Sequence, residues 1–175
     1  MISSAVLSPC GLYRYRLARE NLLANTEGLD PFLAHRPVCW LMLNPSTADA
    51  QVDDPTVRRC VRFSRRWGYD RMVVANLLAY RSTHPKLVRE ALAHGVDVVG
   101  PDNDRHLLEV IAEADLVVAG WGAWAEYFPE RTRRVRAIAR EAGKDIHMLQ
   151  LTQHGVPRHP LYLKSELTPK VWVAA

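Results

Sequence analysis

The chain has 175 residues, 48% of them apolar and 24% charged, with a formal net charge of +4. That length fits one domain, residues 1–175, with a single core, and the balance fits a globular protein rather than a disordered or fibrous one. No apolar run approaches the roughly 18 residues of a membrane span. Met1-Ile2-Ser3-Ser4 lacks the basic and hydrophobic blocks of a signal peptide, so a cytoplasmic protein with no membrane partner is expected.

Cys10, Cys39 and Cys60 are odd in number and widely spaced, which argues against a disulfide framework and against a common zinc site. Cys39 in an apolar run and Cys60 on a helix read as buried thiols. Apart from Lys86, Lys144, Lys164 and Lys170, every basic residue is arginine. That bias suits phosphate binding and base stacking, and it suits a GC-rich genome equally well.

In chain order, Tyr13-Arg14-Tyr15-Arg16-Leu17 alternates with period two and predicts a strand near a sheet edge. Residues 19 to 37 read as a loop. Val38 to Leu43 predicts a buried strand. Asp54-Pro55 carries an N-cap and first-turn proline, opening a helix that Trp67-Gly68 closes. Met72 to Leu78 predicts a second buried strand, Lys86 to His94 a short helix, and Pro101-Asp102-Asn103 the start of a helix to about Ala114. Leu116 to Ala119 predicts a third strand, Pro129 to Ala142 a helix, and Ile146 to Leu151 a fourth strand before the polar loop 152–159. Strands alternating with helices imply a three-layer α/β/α sandwich around a central, mainly parallel four-stranded sheet.

Ligands of open α/β sheets bind beyond the carboxyl ends of the strands. The four predicted strands end on Asn44-Pro45-Ser46-Thr47, on Asn76 through Tyr80 and Arg81, on Gly120-Trp121-Gly122, and on a loop running through Arg158-His159-Pro160-Leu161. One rim would thus gather two carboxamides, hydroxyls, aromatic rings, arginines and histidines. That set suits a planar, polar heterocycle joined to a phosphate.

In order and type these four segments resemble the strand-end motifs of the uracil-DNA glycosylases. The longer pattern L-N-P-S-T-A-D…D-D-P-T…R-R-C resembles more closely a family of bacterial and phage proteins of unknown function, over roughly Tyr13 to Lys164. The glycosylase resemblance implies hydrolysis of an N-glycosidic bond in DNA or a nucleotide. Asn44 would position a water under the sugar carbon, and His159 would donate a hydrogen bond to the base oxygen that gains charge. Asn76 would read a flipped base, and Leu161 would wedge into the gap. Pro45, Ser46, Thr47, Tyr80, Arg81, Trp121 and Arg158 complete the expected binding surface. Tyr80 replaces a cysteine of one glycosylase branch, and three scattered cysteines cannot hold that branch's iron–sulfur cluster. No cofactor or metal is expected.

Asn44 cannot accept a full proton, so this chemistry would be slow without a good leaving group; Asp49 or Asp53, neither of which reads as a cap, could be a general base or orient one. Asp49, Asp53 and Asp54 together could instead hold a metal for phosphoryl transfer, although Asp54, like Asp102 with Asn103, also reads as a helix cap. Arg58, Arg62 and Arg65 share a helix face with Arg59 and Arg66. That stripe is either a phosphate-backbone contact or a solvated surface. His154 and His159 bracket a short loop. A non-catalytic nucleic-acid or nucleotide-binding module remains the other reading.

Overall fold

The computed structural model describes residues 2–23, 37–46, 48 and 52–173. It is a mixed α/β fold with a mostly parallel central sheet. The strands are β1 (Ile2–Leu7), β2 (Arg14–Glu20), β3 (Pro37–Met42), β4 (Arg71–Asn76), β5 (Leu116–Ala119), β6 (Ile146–Met148) and β7 (Lys170–Val171). The helices are α1 (Pro55–Arg66), α2 (Pro85–Ala93), α3 (Asn103–Glu113) and α4 (Pro129–Glu141).

The expected four-stranded sheet has seven strands among the described residues, in the order β1-β2-β4-β3-β5-β6-β7. The four expected strands form its parallel centre, β4-β3-β5-β6. Antiparallel strands extend it on both sides. The added strands β1 and β7 have no clear apolar face, because β1 is mostly exposed and both residues of β7 are. Their identity comes from backbone pairing, which leaves little trace in side-chain pattern. The alternation at residues 13–17 suggested an edge, but β2 lies between β1 and β4 and buries Arg14 and Arg19. Their charge disguised an interior strand.

Successive residues of β3 feed opposite cores. Val38, Trp40 and Met42 pack with Val57, Cys60 and Phe63 of α1. Cys39 and Leu41 pack with Leu107 and Ile111 of α3 and with Val135 and Ile138 of α4. A strand buried on both faces reads as a continuous apolar run rather than an alternating one. Trp40 is completely buried, its indole N–H donating to Ser64 Oγ at 3.1 Å and its ring stacked 5.4 Å from Trp67. Burial of a large side chain of this kind contributes about 1.5–3 kcal/mol. Burial also pushes the Cys39 thiol up to about 12 and raises Cys60 as well, so both are inert core groups.

The helix boundaries follow local chemistry. Asp54 caps α1, its Oδ1 accepting from Val57 N at 2.8 Å, and Pro55 occupies the first turn. Asp102 makes no such bond, because its backbone (φ −102°, ψ 0°) is not extended as a capping residue needs. Arg131 of α4 is buried and donates to Leu77 O and to Asp104, tying α4 to the end of β4. Burial alone would raise the Asp104 carboxyl. The hydrogen bonds from Arg134 and Arg131 outweigh it and hold the group below its ordinary value.

Candidate functional site

From β3 the chain crosses to β4 on one side, whereas β5 on the other side of β3 leads away to β6. The loops that leave β3 and β5 therefore part to opposite faces, and a crevice opens between them at the carboxyl ends of the strands. A cavity of about 610 Å³ occupies that place. Its wall takes Asn44 from the end of β3, Asn76 from the end of β4, Trp121 after β5 and His159 from the loop after β6. All four strand-end segments contribute, and backbone bonds lace them together. Ser82 N donates to Pro45 O at 2.9 Å, Gly120 N to Leu41 O at 2.8 Å and Gly122 N to Pro157 O at 3.0 Å.

The Asn44 side chain is oriented by its own loop. Nδ2 donates to Pro45 O at 3.0 Å and to Ser82 O at 2.8 Å, so both amide hydrogens are used. Among the described residues Oδ1 has no partner, and Asn44 lines the cavity, so this acceptor is left to hold a water by one of its hydrogens.

Asn76 is the reverse case. It is 1% exposed, lines the cavity, and neither Oδ1 nor Nδ2 has a hydrogen-bond partner among the described residues. Asn103, itself fully buried, donates to Asn76 O and Leu77 O at 3.1 Å each, which fixes the backbone beneath the side chain. Burying a carboxamide without partners costs about 1–3 kcal/mol per polar group.

His159 Nδ1 accepts from Leu161 N at 3.3 Å. That places the proton of the neutral ring on Nε2, leaving one donor. Burial lowers the imidazole below its ordinary 6.5, against the opposing charge of Asp54, so the ring is neutral at pH 7. Its close approach to the third loop depends on glycine. A Cβ on Gly122, whose φ is +76°, would stand 3.2 Å from His159 Cβ. A Cβ on Gly120 would stand 3.0 Å from Pro160 Cδ.

Ser46, Arg158 and Leu161 also line the cavity, with Leu161 at its mouth beside Tyr162, which is 75% exposed. Pro45 supports the wall through its carbonyl. Tyr80 and Arg81 lie elsewhere. Tyr80 packs edge-on to Tyr13, and Arg81 Nη1 donates to Gly11 O at 3.1 Å. His154 lines a separate hollow of about 370 Å³, with Trp121 shared between the two. Thr47 and Asp49 fall outside the described residues.

Asp53 is bound by the buried Arg19, with Nη2 and Nε at 2.6 and 2.8 Å from Oδ1. Among the described residues no three His, Cys, Asp or Glu side chains are grouped to hold a metal. Arg58, Arg62 and Arg65 stay exposed along α1, which begins at the cavity. Arg59 leaves that row, stacking 4.8 Å over Phe63 and donating to Leu163 O.

Arg14, His84 and Ser82 are among the wall residues that sequence reasoning missed. Arg14 of β2 is 3% exposed, lines the cavity and donates to Ala48 O. An arginine inside an alternating strand was the available signal. His84 and Ser82, at the start of α2, had none, because only the fold brings that helix to the mouth.

No helix among the described residues is long and apolar enough to cross a membrane. Neither the curated proteins nor the solved structures include a match to this chain. The model of one protein family matches residues 14–161, which spans all four strand-end segments, and the chain therefore belongs to that family, described as a protein of unknown function (DUF1643).

Proposed function

We propose that the cavity binds a nucleobase, in DNA or in a nucleotide, and that the protein hydrolyses the N-glycosidic bond to it, in a fold arranged like that of the uracil-DNA glycosylases. The observation that carries this reading is the Asn76 carboxamide, deeply buried, on the cavity wall and, among the described residues, unpartnered at both ends. One acceptor beside one donor complements the edge of a base, where a donor and an acceptor also stand side by side. Trp121 supplies an aromatic wall, and Arg158 supplies a cation for phosphate.

The other groups fit the bond-breaking step. Charge leaves the sugar with the base, so the transition state is positive at the sugar and negative on the base. A neutral His159 with its proton on Nε2 donates to the base without first losing charge. The free Asn44 oxygen steadies the attacking water. The exposed arginines of α1, starting at the cavity mouth, would follow a phosphate backbone.

The experiment is mass spectrometry of free bases released from single- and double-stranded DNA carrying uracil or other modified bases, and from the matching nucleotides, without added metal. A released base whose formation is lost in Asn44→Ala, with binding retained, is expected. Binding without release from any substrate would leave a nucleobase-binding module. Neither binding nor release would end the reading.

A further inference from the structure

A group that takes the proton of the attacking water speeds hydrolysis, and a carboxamide cannot take it. Asp53 is held by Arg19. Asp54 is the one carboxylate among the described residues of the cavity wall. We propose that Asp54, while capping α1, is also the catalytic base of the hydrolysis; this rests on the glycosidic reading above.

The geometry suits both tasks. The extended backbone of Asp54 (φ −80°, ψ 169°) aims its side chain back at the first turn, where Oδ1 accepts from Val57 N at 2.8 Å. That bond uses one oxygen and fixes the rotamer. The second oxygen has no hydrogen-bond partner among the described residues. Pro55 follows directly, so no N–H from the next residue competes for it. Asp54 also lies near enough to His159 for its charge to act on the imidazole. The cavity thus holds an anion that favours a positive sugar and a neutral donor that favours a negative base.

The step balances without a further reactant. The water held by Asn44 Oδ1 forms a bond to the sugar carbon and loses a proton to the free oxygen of Asp54. The bond from that carbon to the base nitrogen breaks, and its electron pair leaves with the base. The His159 Nε2–H bonds to the base oxygen that takes up the charge. The proton on Asp54 then passes to the departing base through solvent, restoring the carboxylate.

The capping role supplies its own control. Asparagine caps a helix about as well as aspartate, and glycine costs only a few tenths of a kcal/mol. Asp54→Asn is expected to keep the melting midpoint and the affinity for the modified DNA strand, while kcat falls by about 10²–10⁴-fold, the usual contribution of a positioned base. Asp54→Gly is expected to be equally slow and to recover in a saturable way with added formate, a carboxylate small enough for the vacated space. Asp54→Asn within threefold of the wild-type kcat overturns the assignment, as does a loss confined to affinity. Failure of formate to rescue a folded Asp54→Gly counts against it equally. If the wild type binds but releases no base from any substrate, the hydrolytic reading fails and this assignment with it, an outcome separate from a working enzyme that tolerates Asp54→Asn.

Discussion

Replacing Asn76 by leucine separates a residue held ready for a ligand from one that stabilises the fold. Leucine has a similar branched shape and no polar atom, and Asn76 is 1% exposed on the cavity wall with neither polar atom partnered among the described residues. Each such orphan costs about 1–3 kcal/mol, so taking the lower bound for two atoms gives a gain of about 2 kcal/mol on substitution. In a chain of this size each kcal/mol moves Tm by about 2–4 °C, so Asn76→Leu should melt roughly 4–8 °C higher than the wild type. Calorimetry in ligand-free buffer reads this directly. Titration with the released base, or with the nucleotide that carries it, should show no binding to the variant. Such a trade of stability for function is the usual mark of a binding residue. A lower Tm would refute the reasoning, because it would mean that the carboxamide has partners in the free protein, such as a trapped water, and contributes to folding.

Gly122→Ala forces a side chain into a left-handed position (φ +76°) and presses it to 3.2 Å from His159 Cβ. About 1–2 kcal/mol of stability should be lost, with base release reduced more than substrate affinity; an unchanged rate would show that His159 need not sit where it does. His106, stacked on Tyr15, accepts from Arg16 Nε at 2.9 Å, and burial with the nearby Arg16 and Arg105 lowers it to about 4. The unfolded chain takes up this proton first as pH falls, so stability should decline from about pH 6.5 to about 4, by at most about 3 kcal/mol. Urea melts at pH 7.5 and 5 check this, and in His106→Asn that share of the slope should vanish. Reversing Arg58, Arg62 and Arg65 to Glu should weaken binding to a DNA strand and flatten its dependence on salt; equal affinity at low salt would make the row a solvated face.

The four parallel strands, the four helices and the motifs at the strand ends were legible in the sequence, because each rests on local chemistry. A strand buried on both faces must be apolar throughout, as Val38 to Leu43 is, and an N-cap aspartate before proline announces α1 by its own hydrogen bond. The positions of Asn44 and Asn76 at the rim were legible for a related reason, since polar groups at the end of an apolar run stand where the sheet stops, whereas His159 sits on the polar loop beyond β6 and only the fold brings it to the cavity. What only the tertiary structure decided are relations between distant segments. β1 and β7 exist through backbone pairing, and Arg14 reaches the cavity because β2 lies inside the sheet. Tyr80 and Arg81 turn from the cavity although they follow Asn76 by only a few residues, since Tyr80 bridges to Tyr13 and Arg81 reaches Gly11. Asp53 and Asp54 are adjacent in sequence and alike in chemistry, yet one is bound by an arginine of β2 while the other caps α1 at the cavity wall. Composition and spacing cannot separate two such neighbours, because the partner that divides them lies 34 residues away along the chain and is brought close by the fold.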